Sequence, residues 1–94
     1  MNNYEVMYIV KPVEEEAFEA VVAKFEKLIT DNGGVIEKTD RWGKKRLAYE
    51  INDIADGLYV LVTFSAEPKV VKELDRVMKI NDDILRHMII KKGE

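Results

Sequence analysis

The sequence predicts an α+β fold, a four-stranded antiparallel sheet with two helices on one face, and three observations carry that reading. Apolar residues recur with strand and helix periodicity in the order strand, helix, strand, strand, helix, strand. The segment between the middle strands, residues 52–57 ("NDIADG"), is turn chemistry, which makes that pair an antiparallel hairpin. Crossovers that return to the same sheet are right-handed, so two strand-helix-strand units interleave into one sheet with both helices on the same side.

Each element has its own signal. Residues 4–10 ("YEVMYIV") are aromatic and β-branched, end against Pro12 and are apolar on both faces, as a central strand must be. Over residues 13–32, Phe18, Val21, Val22, Phe25, Leu28 and Ile29 fall on one helical stripe, opposite Glu15, Glu16, Glu19, Lys24 and Lys27. Glu14, Glu15 and Glu16 complement the helix N-terminal dipole, and Gly33 and Gly34 offer the left-handed conformation that ends a helix. Residues 35–51 alternate like a strand, but the phase changes: Ile36 and Trp42 share one parity, and Leu47, Tyr49 and Ile51 the other. A residue is therefore inserted, and Gly43 marks a bulge. On this phase Leu47, Tyr49 and Ile51 turn inward, and Lys44 and Arg46 face away. Lys45 reaches solvent only at the sheet rim or if the bulge re-aims it. Residues 58–64 form a buried strand, Pro68 opens a helix striped by Val71, Leu74, Val77 and Met78, "INDD" ends it, and residues 84–90 ("ILRHMII") are the last strand before the polar end "KKGE". The whole is the ferredoxin-like βαββαβ arrangement, expected here as a single domain over residues 1–94.

Composition narrows the function classes. With 47% apolar and 35% charged residues, the chain has the balance of a soluble globular protein. It has no cysteine, which removes disulfides and thiolate metal sites and fits a cytoplasmic setting. The N-terminal stretch lacks a secretion signal's basic start and unbroken apolar run, and no segment has membrane-spanning length, so no membrane association is expected. A net charge of -3 argues against coating nucleic acid by bulk electrostatics, so any such binding must be local.

Because many functions share this fold, sites must decide. A metallochaperone would need soft ligands that are missing here. Acyl phosphate hydrolysis would need a phosphate-cradling loop after the first strand, where "KPVEEE" presents three carboxylates and neither glycine nor arginine. His87 has no nucleophile near it in sequence, and Asp82 and Asp83 sit at a helix end without calcium-loop spacing. The third strand, "DGLYVLVTF", puts acid and leucine where a base-stacking RNA domain needs a cation and an aromatic, so Tyr59 and Phe64 read as packing residues. No catalytic residue, metal, cofactor or small-molecule substrate is expected.

Charge distribution remains. Lys38, Arg41, Lys44, Lys45 and Arg46 crowd the second strand, Arg86, His87, Lys91 and Lys92 the last, and the first helix is acidic. In the usual strand order these two strands are the sheet edges. Edge lysines also deter strand-to-strand aggregation, and composition does not choose between that use and anion binding.

The segments "YEVMYIVKP", "WGKKRLAYEI", "YVLVTFSAEP" and "NDDILRHMIIKK" resemble, in order and spacing, the bacterial small-subunit ribosomal protein S-six family over nearly the whole chain. The most specific stretch is Trp42, Gly43, Lys44, Lys45, Leu47, Ala48 and Tyr49. The resemblance implies a non-catalytic protein that binds the central domain of 16S ribosomal RNA together with ribosomal protein S-eighteen. Carried onto this chain, Lys44, Lys45, Arg46, Arg86, Lys91 and Lys92 are candidate phosphate contacts. Trp42, Tyr49 and Arg41 are candidate partner contacts, with strand packing the other use of the two aromatics. The chain departs from the family's pattern at Asn2 and Asn3, where basic residues are frequent. A different class, a small-molecule-sensing regulatory domain of the same fold, would be distinguished by a stable homodimer whose melting temperature rises with its ligand.

Overall fold

A computed structural model describes residues 1–92. Its elements are β1 (Asn2–Val10), α1 (Glu15–Asp31), β2 (Val35–Ile51), β3 (Ile54–Ala66), α2 (Pro68–Ile80) and β4 (Ile84–Lys91). The strands pair antiparallel in the order β2-β3-β1-β4, so β1 is central and the two cation-rich strands are the edges. Of the polar C-terminal end, Gly93 and Glu94 lie outside the described residues.

One face of the sheet makes the main core. Tyr4, Val6, Tyr8 and Val10 of β1 and Val60, Val62, Phe64 and Ala66 of β3 meet Phe18, Val21, Val22, Phe25 and Ile29 of α1 and Val70, Leu74 and Met78 of α2. Each large apolar side chain fully buried there stabilises by roughly 2 kcal/mol. In α2 the stripe centres on Val70, Leu74 and Met78, while the expected Val71 and Val77 are half-buried at its flanks. From Val60 to Ala66 β3 buries every second residue, and Leu58, Tyr59, Leu61 and Thr63 are only half-buried, so residues 58–64 are not buried throughout.

Helix ends follow the sequence signals. Glu15 and Glu16 occupy the first turn of α1. At its other end Gly33 takes a left-handed φ of 88°, and Gly33 N and Gly34 N donate to the carbonyls of Thr30 and Ile29 at 3.1 and 2.8 Å. That pair of bonds satisfies carbonyls the helix itself leaves unpaired.

The hairpin differs from expectation. Only Asn52 and Asp53 turn, both left-handed with φ of 51° and 65°, and Ile51 pairs directly with Ile54. This is the tight two-residue turn that suits the twist of antiparallel strands, so "IADG" belongs to β3. β2 does slip register at Gly43, whose φ is 84°, as the phase change predicts. It slips again between Ile36 and Lys38, and most between Arg46 and Ile51, where Leu47, Ala48, Tyr49 and Glu50 oppose Ala55 alone.

Candidate nucleic-acid interface

The face of the sheet away from the helices carries the candidate site. There Ile9 lies opposite Arg86, Met7 opposite Met88 and Glu5 opposite Ile90, with Tyr59 and Leu61 of β3 alongside β1. This face is apolar yet open: Met88 is 52%, Ile90 48% and Trp42 46% exposed. Trp42 lies parallel to Tyr59 with ring centroids 6.5 Å apart, and Lys45 Nζ sits 5.8 Å from the Trp42 ring. A pocket of about 390 Å³ is lined by Met7, Ile9, Tyr59, Arg86, His87 and Met88.

Over one end of this face the β2–β3 hairpin curls. Leu47 is buried, but not in the main core; it packs beside Gly57, where an added Cβ would stand 3.4 Å from Leu47 and collide with Ile9. Gly57 is thus needed for close approach, and Ile9 and Leu47, both buried outside the main core, flank it on the open side. Beyond Leu47 the expected inward turn fails. Tyr49 is 62% exposed and Ile51 only half-buried, because the extra residues between Arg46 and Ile51 lift Tyr49 out of the strand phase. Its hydroxyl accepts a hydrogen bond from Arg86 Nη1 at 2.6 Å, and the guanidinium carbon lies 5.6 Å from its ring centroid. Two edge strands are thereby linked across the sheet.

The predicted cations separate into two groups. Lys44, Lys45 and Arg46 pair with Leu58, Gly57 and Asp56, at the same end of the sheet as Arg86. Lys91 pairs with Tyr4 and Lys92 N donates to Asn3 O, which places both at the opposite end. Ile9 lies five residue steps along β1 from Tyr4, about 17 Å of strand. All six are exposed, and among the described residues none is in an ion pair. Lys45, whose orientation sequence leaves open, is exposed over Trp42 just after the slip at Gly43.

Arg41 faces the helices instead. Its Nε and Nη2 both donate to the Glu19 carboxylate at 2.8 Å, which commits the guanidinium to α1. His87 also points to the helix side, where Nε2 donates to Asp75 Oδ1 at 2.7 Å. That bond and one from Lys79 hold the Asp75 carboxyl below the usual aspartate range. Neither the Arg86–Tyr49 link nor the Ile9–Leu47 pair is readable from spacing; the phase change in β2 is the only sequence signal near them.

The family model for Ribosomal protein S6 matches residues 3–91. This chain belongs to the ribosomal protein S6 family. Similar relatives include the small ribosomal subunit protein bS6 of Desulforamulus reducens, 61% identical with all of both chains covered, and that of Exiguobacterium sibiricum, 59% identical over 97% of each. Among solved structures, the 30S ribosomal protein S6 of Thermotoga maritima superposes with a TM-score of 0.91 at 30% identity, covering 97% of this chain and 87% of that one. The C-terminal domain of the Mycobacterium tuberculosis MgtC protein reaches 0.67 at 12% identity, covering 98% and 88%, which shows a shared fold alone. The S6 family is one of structural ribosomal proteins, not of enzymes. Among the described residues, no three His, Asp or Glu side chains are grouped to hold a metal, and no helix is long and apolar enough to cross a membrane.

Proposed function

We propose that this S6-family protein works in the cytoplasmic ribosome, binding the central domain of 16S ribosomal RNA jointly with ribosomal protein S-eighteen as the small subunit assembles and translates. The observation that carries this is the junction of two surfaces at one end of the sheet. Lys44, Lys45, Arg46 and Arg86, free of ion pairs among the described residues, border an exposed apolar face of Met88, Ile90, Trp42 and Tyr59. Phosphate gains nothing by covering methionine and isoleucine, whereas a protein partner does, so the face is assigned to S-eighteen and the cations beside it to RNA. Recognition goes through RNA shape and backbone, since the third strand has Asp56, Gly57 and Leu58 where a base-stacking domain needs a cation, a glycine and an aromatic, and Trp42 is given to the partner surface. Lys91 and Lys92 contact a separate stretch of backbone, and Trp42 contributes to the partner surface.

Changing Lys44, Lys45 and Arg46 together to Glu tests the site. All three are exposed, so the fold should survive, with a melting temperature within a few degrees of the parent, while assembly with S-eighteen and RNA on native gels is lost. Intact assembly would reject the site, and intact assembly with a loss of several kcal/mol in stability would make the cluster structural.

A further inference from the structure

We propose that the β2–β3 hairpin is a strap across the open face, and that its Tyr49–Arg86 link withholds Arg86 from RNA until a protein partner occupies the face. The inference rests on the docking of S-eighteen proposed above. Tyr49 and Arg86 belong to opposite edge strands, with β3 and β1 between them, so about 14 Å must be crossed at the usual strand spacing. The four residues opposite Ala55 supply the extra chain that makes this reach possible. Leu47 fixes the base of the strap on Ile9 and Gly57, and Tyr49 fastens its tip by hydrogen bond and ring contact. Of the six candidate phosphate contacts, Arg86 alone has its side chain hydrogen-bonded among the described residues.

Arg86 also walls the pocket floored by Met7, Ile9 and Met88. A partner that seats an apolar side chain there takes up the space beside the guanidinium and pushes it away from the Tyr49 hydroxyl. Once unfastened, Arg86 can swing toward a phosphate while the partner covers the apolar floor. Docking of partner and RNA then become one coupled event, and the coupling is reciprocal.

The sign of one substitution separates this role from direct contact. Tyr49→Phe deletes the hydroxyl and keeps the ring. If the strap opposes docking, calorimetric titration should show S-eighteen binding about two- to tenfold tighter, the worth of one ordinary hydrogen bond in a solvent-exposed setting. RNA binding by the protein alone should rise similarly, and the gain in RNA affinity conferred by S-eighteen should shrink by the same factor. Weaker or unchanged affinities would overturn the strap. Met88→Lys, at an exposed position, tests the underlying reading separately. Loss of S-eighteen binding in Met88→Lys with no effect of Tyr49→Phe keeps the docking face and rejects the strap. Wild-type binding by Met88→Lys rejects the docking face and the strap with it.

Discussion

The hydroxyl of Tyr8 lies in the main core with no hydrogen-bond partner among the described residues, while its ring packs edge-on against Phe25 with centroids 5.5 Å apart. Burial pushes the phenol far above its ordinary value, and Glu26 adds to the push, so the group stays neutral at any pH the fold meets. An unpaired buried hydroxyl forfeits its bonds to water and gains none in return. Tyr8→Phe should therefore be neutral or stabilising, by up to about 1 kcal/mol in denaturant unfolding. A clear loss would mean that the hydroxyl has a partner. The aromatics of the open face obey a different rule: Trp42 and Tyr59 lie parallel there, outside the main core, and Tyr49 covers nothing in the core.

Elements are joined by polar links that sequence spacing does not reveal. Arg41 with Glu19 and Thr39 with Glu26 tie β2 to α1, and His87 with Asp75 ties β4 to α2. For Asp75 the pH consequence has a definite sign. A carboxyl whose folded value lies below the unfolded one contributes stability above the ordinary value of 3.8, and that contribution is lost as pH falls through the lowered folded value. Its side chain is 40% exposed, so water screens the pair and the contribution stays under about 1 kcal/mol. Thermal unfolding of the parent and Asp75→Asn should differ by a steady gap just above pH 3.8 that closes on further acidification. A gap that widened in acid would contradict the assignment.

At the scale of the whole molecule, a net charge of -3 is unevenly placed: α1 is acidic, α2 carries more cations than carboxylates, and unpaired cations stand on the sheet edges. RNA binding by this chain alone therefore draws on few contacts. With Lys44, Lys45 and Arg46 at one end of the sheet, Lys91 and Lys92 at the other and Arg86 held by Tyr49, a log-log plot of affinity against salt should have a slope no steeper than about -4.5. The pair with S-eighteen should bind more tightly and with a distinctly steeper slope. Equal affinity and slope with and without the partner would show that docking adds no cationic surface.

The chain's pattern by itself determined the six elements, the central place of β1, the glycine end of α1 and the slip at Gly43, because each depends on periodicity or a backbone preference a few residues long. It also carried the family, through the run from Trp42 to Tyr49. What only the tertiary structure decided is where that run points. Leu47 is buried on the open face rather than in the main core, Tyr49 reaches Arg86, Arg41 turns to Glu19, and Lys91 and Lys92 stand far from the other cations. Strand parity fixes a side chain's face only while the register holds. β2 slips register three times, and after each slip the orientation is set by what β3, β1 and the helices place opposite it.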